Sequence, residues 1–240
     1  MNTDKTLSAP TGNWQSMLRE ATGLLGLPML ALSAASLRDE PAGDGSTVVV
    51  LPGFGGDDLS TWPLRAFLRS LGYRVRGWGL GSNRATVPES IDVIGTLVER
   101  HLEESDAPLS LVGWSLGGYI AREVARDKPH GVRRVITLGS PVIGGPKYTS
   151  VAVLAPLQGW NLDEIEVEVE RRKGVPLRVP TTAIFSRRDG IVAWRACIDP
   201  EGDAPVEHVE VNSSHIGLGF DAHVYRLVAR RLARRDRNDP

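Results

Sequence analysis

One cysteine, Cys197, among 240 residues rules out an internal disulfide and leaves the redox compartment open. It lies in no sharp turn between strand and helix, so its ordinary reading is a buried or half-buried thiol and not a nucleophile. A predominance of one charge is also missing: 28 Lys and Arg against 29 Asp and Glu give a formal net charge of −1, which provides no electrostatic footprint for a nucleic acid. The five histidines have no H-E-x-x-H or comparable ligand spacing, so no metal is expected and no cofactor is implied. No repeat and no low-complexity tract interrupts the chain. Long hydrophobic runs are absent as well. The most apolar stretch, residues 21–36, is broken by Pro28 and is short of the roughly 20 residues that a membrane span needs.

That stretch admits three readings. A secretory signal calls for a basic start, whereas here Asp4 and Glu20 accompany Lys5 and Arg19. A peripheral membrane contact through residues 21–36 is the second, and a helix packed on the domain is the favoured third. The expected location is cytoplasmic, with membrane association as the alternative and secretion left open. Asp39 to Ser46, with Pro41, Gly43 and Gly45, reads as a linker, so residues 1–46 form an apolar helical segment and linker ahead of a domain at 47–240.

With 41% apolar residues, the chain has enough material for one core of two helix layers about a sheet. From Thr47 onwards, strand and helix patterns alternate. Thr47–Leu51, Tyr73–Arg76, Leu109–Val112, Val132–Leu138, Thr181–Ser186 and His208–Val211 read as strands. Helices are expected from Thr61 to Leu71, stopped by Gly72, and from Ser90 to Glu104, with Ile91, Ile94, Leu97 and Val98 on the core side. Further helices are expected over Tyr119–Asp127, Leu162–Lys173 and Asp221–Arg235. Five arginines on the last helix (226, 230, 231, 234 and 235) suit a solvated face better than an anionic partner. Nothing in the sequence sets the oligomeric state.

Gly113-Trp114-Ser115-Leu116-Gly117 carries G-x-S-x-G between a strand and a helix. A hydroxyl on such a sharp turn is pushed out beyond the sheet edge, and the two glycines remove side chains that would collide there. Five residues alone also fit an ordinary glycine-rich turn. A serine needs a base and an acid that orients the base, and both occur downstream. Asp189 lies in the turn after Thr181–Ser186, and His215 in the loop after His208–Val211. Both loops leave carboxyl ends of strands, where ligands of open α/β sheets bind. His208 and His223 are rival bases placed inside elements; Asp199 and Asp203 are rival acids in the loop running to Pro205.

In this order, Ser115, Asp189, His215, the chain resembles an α/β-hydrolase of the esterase/lipase group from about Thr47 to the last helix. Leu51-Pro52-Gly53-Phe54-Gly55-Gly56 matches the H-G-F-G-G type of loop in that family, except that Pro52 stands where a histidine is usual. The resemblance implies the fold class: α/β, a mostly parallel central sheet with helices on both faces, and a lid insertion before the acid-bearing strand, at 143–178. It implies that the Phe54 and Leu116 amides form an oxyanion hole and that carboxylic esters, small-molecule or lipid, are cleaved through an acyl-enzyme on Ser115. Acyl transfer or thioester cleavage on the same triad is the alternative, and a silent binding module is a third reading. Within the insertion, the apolar run Val151–Leu157 and Trp160 suit a flap over acyl chains, or equally a simple cover for the sheet. Trp78, Leu80, Trp114, Ile191 and Ile216, beside strand-end loops or catalytic positions, are expected to line the substrate pocket.

Overall fold

The computed structural model describes residues 7–10, 14–23, 26–199 and 204–234. The expectations at Asp4, Lys5, Asp203 and Arg235 lie outside these residues. Three helices come first: α1 (Trp14–Gly23), α2 (Gly26–Leu32) and α3 (Ala34–Leu37). The order then runs β1 (Thr47–Leu51), α4 (Trp62–Ser70), β2 (Arg74–Gly77), α5 (Val87–Ser105), β3 (Leu109–Trp114), α6 (Leu116–Asp127) and β4 (Val132–Leu138). It continues with α7 (Ala155–Gln158), α8 (Leu162–Arg172), β5 (Thr181–Phe185), β6 (Val206–Glu210) and α9 (Ala222–Leu232).

The six strands form one sheet in the order β2-β1-β3-β4-β5-β6, and every pairing is parallel. A parallel sheet is covered on both faces, so its inner strands β1, β3, β4 and β5 are almost wholly buried, while the edge strands β2 and β6 are partly exposed. In β1, alternation separates the two cores: Val48 and Val50 point to one face, Val49 and Leu51 to the other. The first face meets α4 and α9 through Leu64, Phe67, Leu68, Val224, Tyr225 and Val228. The second meets α5 and α6 through Ile91, Ile94, Val98, Ile120 and Val124, the helical stripe expected for α5. The order of winding reverses between β1 and β3, β2 lying to one side and β4 to β6 to the other, so the loops after these two strands open a crevice at their carboxyl ends, the usual ligand position in such sheets.

The expected linker is strapped down. The Gly43 N–H donates to Leu71 O (2.7 Å), Asp44 pairs with Arg133 (2.8 Å), and buried Glu40 takes a bidentate pair from Arg230 (2.7 and 3.0 Å). The arginines of α9 and Arg234 just beyond it are engaged within the chain: Arg226 and Arg230 with Glu40, Arg231 and Arg234 with Glu207. In the 21–36 stretch and just after it, Leu30 and Leu37 join the α9 side of the core, while Leu27, Met29 and Leu32 are exposed. Among the described residues, no helix is long and apolar enough to cross a membrane.

Candidate active site

Ser115 sits between β3 and α6 with φ 53° and ψ −122°, a backbone conformation that L-residues rarely adopt. Such strain costs about 1–3 kcal/mol and persists only where surrounding contacts impose it. Here they do. The Ser115 N–H donates to Leu138 O (2.8 Å), and Ser115 O accepts from Gly118 N–H (3.0 Å). A Cβ on Gly117 would lie 2.5 Å from both Leu51 O and Pro52 O, so only glycine lets the helix start press against the end of β1.

Facing the serine, the 53–56 loop is held from below by Asn83, which is fully buried. The Gly55 N–H donates to Asn83 O (2.8 Å), the Asn83 N–H donates to Gly56 O (2.7 Å), and Asn83 Nδ2 donates to Pro52 O (2.9 Å). Sequence reasoning passes over Asn83 as part of a loop; an asparagine shows no local sign of a partner 31 residues away. The Phe54 and Leu116 amides donate to no acceptor among the described residues, and both residues border the same cavity as Ser115. For Leu116 this follows from its place in the first turn of α6, where amides have no intrahelical partner.

The structure brings Asp189 and His215 together. His215 Nδ1 lies 2.7 Å from Asp189 Oδ2, with both side chains buried. The other Asp189 oxygen accepts from the N–H groups of Ile191 (2.9 Å) and Val192 (2.7 Å), which fixes the carboxylate's plane. Burial alone depresses the His215 pKa; the Asp189 charge and hydrogen bond, with a further contribution from Glu20, outweigh it and raise the imidazole above its usual value. His215 and Ser115 border one cavity, and no hydrogen bond joins Ser115 Oγ to the imidazole among the described residues.

The rival residues are placed elsewhere. Asp199 is paired bidentately with buried Arg122 (2.5 and 2.7 Å), and its N–H donates to His208 Nε2 (2.9 Å). His223 is exposed on α9. Cys197 is buried beneath the acid loop, and burial, reinforced by the Asp189 charge, pushes its thiol pKa well up, which leaves it a packing group.

The cavity has a volume of about 540 Å³. Trp114, Ile191 and Ile216 line it as expected. Trp114 also touches the histidine loop: its indole N–H donates to His215 O (3.2 Å). Trp78 and Leu80 are corrections. The Asp58 carboxylate accepts from the N–H groups of Trp78 (3.0 Å) and Gly79 (3.2 Å), and the indole donates to Gly81 O (2.8 Å). This turns Trp78 into the core beside Val49 and Ile94, and leaves Leu80 in a separate surface depression with Arg76 and Arg100.

The far wall comes from the segment between β4 and β5, through Pro146, Val151, Trp160, Ile165 and Val169 among others. Of the apolar run Val151–Leu157, Val151 faces the cavity, whereas Val153 and Leu157 point outward, 77% and 82% exposed. Trp160 packs edge-on against Phe54, with ring centroids 5.3 Å apart. The start of this segment is tied to the loop after Asp189: Thr149 pairs with Val192, the Ser150 N–H donates to Ile191 O (2.7 Å), and the Ala193 N–H donates to Tyr148 O (3.0 Å).

Residues 48–237 match the model of the alpha/beta hydrolase family. The chain belongs to that family. Among its curated relatives, it is similar to the pimeloyl-[acyl-carrier protein] methyl ester esterase of Photobacterium profundum, 29% identical over 51% of this chain and 46% of that protein. It is also similar to the pyrrolizixenacetamide deacetylase of Xenorhabdus hominickii, 32% identical over 41% of this chain and 39% of that one. The matched region thus spans less than half the length of either relative. Among solved structures, the monoacylglycerol lipase of Paleococcus ferrophilus superposes with a TM-score of 0.57 at 16% identity, covering 80% of this chain and 96% of the other. That likeness concerns the fold.

Proposed function

We propose that this member of the alpha/beta hydrolase family is a serine hydrolase that cleaves carboxylic esters through an acyl-enzyme on Ser115, with residues 143–178 as its lid. The observation that carries the reading is the buried 2.7 Å pair of Asp189 and His215 opening onto the same cavity as a serine held in a strained turn. With Nδ1 engaged by Asp189, Nε2 is the nitrogen left to take the Ser115 proton. Catalytic hydrogen bonds of this kind often form or tighten only around bound substrate, so Ser115 Oγ and Nε2 are expected to meet in the loaded site.

The chemistry then balances in two halves. Ser115 Oγ bonds to the ester carbonyl carbon as its proton passes to His215, and the amides of Phe54 and Leu116 receive the charge on the carbonyl oxygen. The C–O bond to the alcohol breaks, the alcohol leaving with the proton from His215. Water, deprotonated by His215, attacks the acyl-enzyme; the acid departs and the proton returns to Ser115. Supporting the acyl side are the apolar cavity residues Phe54, Trp114, Ile191, Ile216 and Val151. The activities after which the two relatives are named, methyl ester cleavage and deacetylation, are both acyl transfers to water and agree with this scheme.

A fluorophosphonate probe with a p-nitrophenyl ester series of increasing chain length tests the reading. Labelling and turnover are expected in wild type and neither in Ser115→Ala, with the best chain length set by the cavity. Equal labelling of both proteins would remove Ser115 from the mechanism.

A further inference from the structure

Helix α1 precedes the first strand of the sheet, yet it sends one side chain into the floor of the catalytic loops. Glu20 is 6% exposed. Its Oε1 accepts from the N–H groups of Gly190 (2.8 Å) and His215 (3.0 Å), and its Oε2 accepts from the Ile216 N–H (2.8 Å). One donor directly follows the acid Asp189; the other two belong to the base and its neighbour. The amides of 189–192 are thereby all satisfied: the Asp189 N–H donates to Ser186 O, the Gly190 N–H to Glu20, and the Ile191 and Val192 N–H groups to Asp189 itself. Helix and loop are in close contact beside it, since a Cβ on Gly23 would lie 2.6 Å from Gly217 N and 2.7 Å from Ser214 Oγ.

We propose that Glu20 is a positioning residue for the Asp189–His215 pair, a single carboxylate that locks the acid loop and the histidine loop to each other from outside the sheet. The proposal rests on the catalytic reading of Ser115, Asp189 and His215 given above. The physical argument is one of satisfaction. Remove the carboxylate and buried amides on two different loops lose their acceptor together, so the loops relax towards other partners and the geometry of the pair loosens. Charge adds to it. Among the described residues, the ionisable groups facing the imidazole are Asp189 from the acid loop and Glu20 from α1; burial disfavours the imidazolium and these two carboxylates favour it. Glu20 therefore supports the state that His215 enters when Ser115 gives up its proton.

The test uses the full chain as wild type, Glu20→Gln, Glu20→Ala and Ser115→Ala. It measures kcat and KM on a p-nitrophenyl ester per fluorophosphonate-titratable site, the pH profile of kcat/KM, and thermal unfolding. Glu20→Gln keeps the shape and loses the charge. It is expected to hold KM within about twofold while kcat falls roughly tenfold or more, because small misplacements of catalytic groups are amplified in rate. Its acidic limb is expected to move to lower pH, since one of two negative charges beside the imidazole is gone. Glu20→Ala is expected to lose more kcat in the same sense. Rates per titratable site keep a partly unfolded variant from imitating this result. Wild-type kcat in Glu20→Gln, or an acidic limb that does not move, overturns the proposal even if the unfolding temperature drops. Hydrolysis surviving in Ser115→Ala brings down the catalytic reading itself; a dead Ser115→Ala beside unaffected Glu20 variants brings down the Glu20 assignment alone.

Discussion

At the scale of the residue, His215 is set by opposed influences. Burial holds its pKa down, and the carboxylates of Asp189 and Glu20 push it up, with the upward influences prevailing. A general base works as neutral imidazole, so activity is lost as pH falls through the raised pKa. The acidic limb of kcat/KM is accordingly expected above the ordinary imidazole value of about 6.5. A pH-rate profile on a p-nitrophenyl ester checks this, with His208→Ala, whose ring accepts from the Asp199 amide, as a control that leaves the limb in place. A midpoint below the ordinary value, or one displaced by His208→Ala, would contradict it. Stability runs the other way: the stabilisation from a raised histidine pKa is complete below the unfolded-state value and is lost as pH rises through the folded one.

At the scale of the element, the segment between β4 and β5 roofs the cavity and is fastened at several points. Lys147 bridges Asp163 (2.7 Å) and Glu166 (2.6 Å), Tyr148 donates to Glu166 (2.9 Å), and Arg172 reaches Asp127 (2.8 Å) on α6. Trp160 contributes the contact with Phe54, an edge-on aromatic pair worth about 0.5–1.5 kcal/mol beyond its buried area. Trp160→Ala is expected to lower kcat/KM for long acyl esters about tenfold while leaving acetate esters within about twofold, because it removes cavity wall and not chemistry. Equal losses across the chain-length series would show that Trp160 acts on the oxyanion loop instead.

Elements are legible where local pattern decides them. Thr47–Leu51 and Val132–Leu138 fall on β1 and β4 to the residue. Helix α5 begins three residues before the expected Ser90 because Pro88 occupies its first turn, a position where a missing N–H costs nothing. Strand β3 runs two residues beyond Val112 because Gly113 and Trp114 pair with Thr137 and Leu138. What local pattern does not signal are the long-range ties. The loop position of Trp78 points to the pocket, but the Asp58 carboxylate, 20 residues away, turns it inward. Glu20 lies 195 residues from the histidine whose backbone it holds, and a lone glutamate in an amphipathic helix carries no mark of such a partner.

At the scale of the whole molecule, helix α6 is joined to its surroundings by buried charge. Arg122 pairs with Asp199 and with Glu123 (2.6 Å); Glu123 also takes Arg126 (3.1 Å) and Arg172. The network links α6 to α8 and to the loop after β5. Arg122→Met removes the guanidinium and leaves Asp199, 2% exposed, without this bidentate partner. Breaking such a pair from one side typically costs about 3–5 kcal/mol. A urea unfolding midpoint lowered accordingly, with unchanged slope, is the expected outcome. A loss under about 1 kcal/mol would mean that the site rehydrates or finds other partners.

The bridge between Thr149 and Val192 limits how entry to the cavity can work. The strand of roof at 148–150 shares its hydrogen bonds with residues 191–193, and the amides of Ile191 and Val192 are the ones that orient the Asp189 carboxylate. Any gate that pivoted at its own root would drag the acid out of line each time a substrate came in. Were the outer turns to move, a hinge past Ser150 would let them swing while Asp189 and His215 stayed still, with traffic and chemistry on separate mechanical parts of one loop.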